Sequence, residues 1–150
     1  MTTFAHLDDL ASLEGQEIGR SDWLVVAQSH IDQFAEATGD AQWIHVDPER
    51  AAAGPFGATV AHGFLTLALL SRLFAEAVAF EDVRMSLNYG LNRVRFPSPV
   101  PVGSRLRGVC VLDTFETIAG GAQVTTTITV EREGGTKPAC VAEWVTRHFV

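Results

Sequence analysis

The chain is poor in the features that would mark several large functional classes. It has only two cysteines, Cys110 and Cys140, with no metal or redox spacing between them. A pair so sparse fits reduced thiols rather than a disulfide framework. Positive charge is in deficit: 11 Lys and Arg stand against 18 Asp and Glu, a formal balance of −7. That excludes the broad basic field needed for non-specific nucleic-acid binding, although a local basic patch for a phosphorylated ligand remains open. The start, "MTTFAHLDDL", has neither a basic n-region nor an apolar h-region, so no signal peptide is expected and a cytoplasmic location is. The longest apolar stretch, about residues 60–80, is interrupted by His62, Arg72 and Glu76 and reads as a buried helix, not a membrane span. HExxH, G-x-G-x-x-G and G-x-S-x-G are all missing, as are repeats and low-complexity tracts.

What is present suits one domain over residues 1–150, with 47% hydrophobic and 19% charged residues. "FAHLDDLASLEG" has helical spacing and a stop at Gly15. "SDWLVVA" reads as a strand. "SHIDQFAEATG" predicts a helix capped by Ser29, with Ile31, Phe34, Ala35 and Thr38 on one face and Gly39 as its end. "DPERAAAG" predicts a short helix capped by Asp47 with Pro48 at its first position. "HGFLTLALLSRLFAEAVAF" is apolar nearly all round, as a buried helix must be. Beyond it come four long runs rich in Val, Thr and aromatics, separated by turns such as "PSPVPVG" and "EGGTKP". An α+β architecture follows: one long helix wrapped by a curved antiparallel sheet. Such a sheet has edges to cover, which makes a homodimer the expected assembly.

Three features bear on chemistry. Asp40 and His45 lie five residues apart in "TGDAQWIHVD", too far for one helix face, so only a loop brings them together. They suit a shared water, with one group deprotonating and the other relaying. A cap and a packed histidine are the plainer alternative. "AHGFL" opens the buried helix, and Gly63 leaves the first free N–H groups open to an anion or carbonyl, or else simply permits a tight turn. Arg93, Arg95, Arg105, Arg107 and Lys137 form a basic set. It either meets the phosphates of a carrier such as coenzyme A or forms a solvated strand face. Asp40, His45, Asp47 and His62 also contain metal-ligand types, but no ordered spacing supports an ion, and no metal or cofactor is expected. Trp43, Phe56, Phe64 and Leu65 are the expected walls of an apolar slot.

Read together, "FAEATGDAQWIHVDPERAAAGPFGATVAHGFLTLALLS" resembles the motif of the MaoC-like, (R)-specific enoyl-CoA hydratase family, close to its nodulation protein N-like branch. The carriers are Gly39-Asp40, Ile44-His45 and His62-Gly63. The resemblance implies a single hot-dog fold, in which a central helix is wrapped by the sheet, and a two-chain assembly with the ligand at the interface. It further implies that Asp40 and His45 hold the water added to a trans-2-enoyl-CoA thioester, giving an (R)-3-hydroxyacyl-CoA. The Gly63 N–H would receive the thioester oxygen. Ser71 falls where some members carry a serine near the site, and Arg93 or Lys137 of a second copy would meet coenzyme A. Gln42-Trp43 replaces the usual Asn-Pro, a departure that bears on substrate shape. The same fold also hosts acyl-CoA thioesterases and non-catalytic acyl-CoA-binding subunits, which stand as the competing functions.

Overall fold

The computed structural model describes all residues, 1–150. Strand β1 (Thr2–Phe4) leads into a 3-10 helix over Leu7–Ser12, then β2 (Glu17–Arg20) and β3 (Leu24–Val25). Three helices follow: α1 (Gln28–Thr38), α2 (Trp43–Val46) and α3 (Pro48–Ala52). The central helix comes in two pieces, α4 (Gly63–Ala68) and α5 (Leu70–Ala77), and passes directly into β4 (Val78–Phe80). The long strands β5 (Met85–Arg95), β6 (Arg105–Ile118), β7 (Gly121–Arg132) and β8 (Cys140–Phe149) complete the chain. The main sheet runs β2-β6-β7-β8-β5, with β3 also paired to β6, and every pairing in it is antiparallel.

Alternation in the strands decides what faces inward. Leu106, Cys110 and Leu112 of β6, and Val124, Ile128 and Val130 of β7, have no exposed surface. They pack against Leu70, Leu73, Phe74 and Ala77 of α5 in one apolar core. Two glycines let helix and sheet approach closely. A Cβ on Gly108 would stand 3.0 Å from the Leu73 Cβ, and one on Gly19 would stand 2.6 Å from the Ala77 carbonyl oxygen. Burying this face of α5 is what holds the helix at the centre, since apolar area removed from water stabilises by about 25 cal/mol per Å².

The expected order of elements holds, with local corrections. The first segment is a 3-10 turn rather than an α-helix. The strand expected in "SDWLVVA" shrinks to Leu24 and Val25, the two residues whose partners on β6 are Leu106 and Arg105. Ser29 does not cap α1. The helix begins two residues earlier than such a cap would give, Ala27 is the cap position, and the His30 Nδ1 accepts from the Ala27 N–H at 3.1 Å. Gly39 ends α1 as expected, at φ 77°, a left-handed conformation that favours glycine. Asp47 caps α3 by accepting from the Arg50 N–H at 3.0 Å. The central helix is interrupted at Leu69, yet its ladder continues: the Leu69 N–H donates to Leu65 and the Leu73 N–H to Leu69. It ends at Ala77 because Val78, Ala79 and Phe80 pair in parallel with Thr2, Thr3 and Phe4.

Strand β5 is unlike its neighbours. It forms a sheet edge and is exposed along nearly its whole length, including Met85, Leu87, Tyr89 and Leu91.

Candidate active site

The segment between α1 and α4 folds back so that three polar side chains meet. Two backbone ties set its position. The Val60 N–H donates to the Ile44 carbonyl, and the Ala61 N–H donates to Val100. A third tie comes from α1: the Gln28 amide donates to the His45 carbonyl at 2.8 Å, and its oxygen accepts from the Thr59 hydroxyl. Residues 44–45 and 59–61 are therefore held on one scaffold.

On it, His45 is buried and its Nδ1–H donates to the Val60 carbonyl at 2.6 Å. A carbonyl only accepts, so Nδ1 carries the hydrogen and Nε2 keeps its lone pair. His62 is equally buried. Its Nε2–H donates to the Asp40 carbonyl at 2.9 Å, which ties the Asp40 loop to the start of α4. Its Nδ1 has no hydrogen-bond partner. The two imidazoles stack at 3.8 Å between centroids, with 22° between planes, and Phe34 closes the other side of His62 at 4.9 Å. One ligand-type atom each of Asp40, His45 and His62 lies within 4.8 Å of the others. These three are the residues placed to hold an ion or a water; Asp47, the fourth of the sequence-derived set, caps α3 instead.

Gly63 follows immediately, as the first residue of α4. It lines a cavity of about 270 Å³ with Phe56, Thr66 and Phe96. A Cβ there would lie 3.3 Å from the Phe96 ring, so the glycine keeps the wall of that cavity clear.

The other sequence-derived residues are distributed differently. Phe56 joins the Gly63 cavity, but Phe64 is 71% exposed, since it lies about 100° round α4 from the core residue Leu65. Trp43 is half-buried against Gly54 with the Arg50 guanidinium 4.5 Å over its ring, so its role within this protomer is to anchor α3. Gln42 is the exposed cap position of α2. Ser71 stands two turns along the central helix beside a separate cavity, and Arg93 is exposed on β5 opposite Glu143. The basic set divides. Arg105 and Arg107 pair with Glu133 and Glu131 and stack on Trp23, which makes them a strand-face network. Lys137 is exposed on the turn before β8. Gln28 and Val60, which orient His45, belong to no motif and are missed by sequence reasoning; no local signal points to either.

Residues 9–134 match the MaoC like domain. The chain belongs to the MaoC-like dehydratase family. It is 55% identical over 149 residues to "3-hydroxyacyl-thioester dehydratase Z" of Mycobacterium tuberculosis (strain H37Rv), covering 99% of both chains. It is 52% identical over 144 residues to "Nodulation protein N" of Rhizobium leguminosarum bv. viciae, covering 93% of this chain and 89% of that one. The MaoC-like dehydratase of Rhodospirillum rubrum shares its fold at a TM-score of 0.77 and 23% identity, over 97% of each chain. The R-hydratase PhaJ1 of Pseudomonas aeruginosa does so at 0.70 and 23%, over 90% of this chain and 81% of that one. The fold is thus the hot-dog fold, and the MaoC-like chain is an enzyme of the hydratase and dehydratase type. No helix in it is long and apolar enough to cross a membrane.

Proposed function

We propose that this MaoC-like enzyme is an (R)-specific enoyl-CoA hydratase, which adds water to trans-2-enoyl-CoA to give (R)-3-hydroxyacyl-CoA. The observation that carries the reading is the unloaded Nε2 of His45, which is held by the Val60 carbonyl in a cluster with Asp40 and with His62, the residue that precedes Gly63.

The chemistry needs a base, a returning proton and a place for developing charge. A water between the Asp40 carboxylate and His45 Nε2 loses a proton to this pair as its oxygen bonds to C3. The electron pair of the double bond shifts onto the thioester oxygen, which the Gly63 N–H receives at the positive end of the helical run. The pair then returns a proton to C2. One O–H bond breaks, and one C–O and one C–H bond form. Positioned acid–base groups supply about 10²–10⁴-fold. One oxyanion donor adds on the order of 3 kcal/mol.

A second copy completes the assembly in this reading. It pairs along the bare β5 edge and brings Arg93 or Lys137 toward the phosphates of coenzyme A. Gln42, Trp43 and Phe64 then shape the substrate from outside the protomer's own cavity. A cytoplasmic setting suits such a carrier-bound substrate.

The test is hydration of crotonyl-CoA followed by loss of enoyl absorbance, with the product's chirality determined. (R)-3-hydroxybutyryl-CoA is expected. Release of free thiol without hydration would establish the thioesterase reading, and tight binding without turnover would establish a non-catalytic subunit.

A further inference from the structure

Three cavities succeed one another along one face of the central helix away from Gly63, and end to end they trace a groove. The cavity at Gly63 and Thr66 comes first. A second, of about 230 Å³, adjoins Leu67, Leu70 and Ser71. A third, the largest at about 570 Å³, shares Ser71 with the second and continues past Phe74 to Val78. These helix positions recur every three or four residues, so they form one stripe. The strand walls advance in step. Phe96 borders the first cavity, Tyr89 and Leu91 the second, and Ser86 the third, as an antiparallel β5 alongside the helix requires. From Gly63 to Val78 the helical rise amounts to roughly 20 Å.

The groove walls mix apolar residues with Thr66, Ser71 and Asn88, and its far end holds a buried histidine. There His148, 2% exposed, lies between two hydroxyls. Its Nδ1 is 2.8 Å from the Ser86 Oγ, and its Nε2 is 2.9 Å from the Thr146 Oγ1. The Thr146 hydroxyl donates to the Val124 carbonyl at 3.4 Å, so its oxygen is the one free to accept from the ring. The direction of the array follows: Nε2–H donates to Thr146, and the Ser86 O–H donates to Nδ1. Ser86, exposed at the cavity wall, is left presenting oxygen lone pairs to whatever fills the groove. A lone-pair acceptor at the end of such a groove recognises a hydrogen-bond donor.

Resting on the hydratase reading above, we propose that this groove takes the acyl chain and that Ser86, oriented by His148, selects chains bearing a hydroxyl group far from the thioester. A methyl terminus leaves the Ser86 oxygen unpaired once water is displaced, whereas a hydroxyl restores its bond. A site built to hydrogen-bond a substrate group rejects the analogue lacking it.

The experiment compares dodecenoyl-CoA with its terminally hydroxylated counterpart, and the same pair at hexadecenoyl length, using crotonyl-CoA as the reference for the reaction itself. At one of the two lengths the hydroxylated chain is expected to show kcat/KM roughly tenfold higher, consistent with a satisfied against an orphaned polar group. Ser86→Ala is expected to abolish that preference while leaving crotonyl-CoA turnover unchanged, since Ser86 lies on an exposed edge strand and contributes nothing to the core. His148→Gln serves as the second variant and is expected to weaken the preference without altering crotonyl-CoA turnover. Equal kcat/KM for both chains at both lengths in the wild type, or a preference that survives Ser86→Ala, overturns the proposal. Failure to hydrate crotonyl-CoA overturns the hydratase reading instead, so the two are told apart.

Discussion

The protein buries histidines at both ends of its central helix, and the two ends treat them in opposite ways. At the start of α4, His45 and His62 each give one N–H to a backbone carbonyl and keep the other nitrogen unpartnered. At the far end, both nitrogens of His148 are spoken for by hydroxyls. Backbone carbonyls fix a ring rigidly and leave one lone pair for chemistry. A doubly bonded ring has no lone pair to offer and instead sets the direction of its neighbours. In the proposed reading the same side chain serves reaction in one place and recognition in the other, and the difference lies in its partners.

The comparison is broken most severely at the reacting end. Asp40→Asn removes the carboxylate that, in the proposed mechanism, shares the water with His45. Because Asp40 is exposed and its side chain bears no core contact, the melting temperature is expected to stay where it is. Hydration of crotonyl-CoA is expected to fall by about 10²–10⁴-fold in steady-state assays. Near-normal turnover would remove Asp40 from the reaction.

At the other end the expected effect is on stability. Burial pushes the His148 imidazole down to about 4 from the ordinary 6.5. Between these values the unfolded chain binds a proton that the folded chain refuses, so stability falls as pH drops from 6.5 toward 4 and is unaffected above 6.5. Linkage over that interval amounts to about 3 kcal/mol. Urea melts of wild type and His148→Gln at a series of pH values check this: the variant's curve should be flatter across that interval, whatever its absolute stability. Parallel curves would show that His148 does not titrate differently on folding.

The smallest effect sharpens the comparison by loosening one ring's support without touching the ring. Gln28→Ala removes the bond to the His45 carbonyl and leaves the Thr59 hydroxyl without its acceptor. A buried hydrogen bond is worth about 1 kcal/mol, so kcat is expected to drop roughly tenfold or less, with KM for crotonyl-CoA little changed. A change confined to KM would place Gln28 in substrate binding rather than in aligning His45.

Much of the reacting end was legible in the sequence because its parts are local. Asp40 and His45 share a short segment, and His62-Gly63 opens an apolar helical run. Their types and spacing carry the family likeness. What could not be read is what orients them. Gln28 matters through a side-chain amide that meets the His45 carbonyl and Thr59, and Val60 through its backbone carbonyl, and neither residue type announces this. The outward turn of Phe64 was hidden for a related reason: an apolar residue at a helix start gives no hint of which way the helix is turned. The recognising end was illegible altogether. Ser86 and His148 meet through β5–β8 pairing across 62 residues, and nothing in either segment signals the other. The short strands β1, β2 and β4 escaped for want of length, since three or four residues show no period.

Strand β5 has a consequence for how the molecule comes into being. A newly made chain carries an unprotected ribbon of eleven residues able to template strand after strand. Arg93 and Arg95 sit on that ribbon, and the Arg147 guanidinium lies 3.5 Å over Tyr89 beside it. Charges so placed act as gatekeepers, since each further strand added in register would stack like charges on like. Their repulsion discourages endless growth, so recovery of active protein from dilute denaturant should improve as salt is lowered.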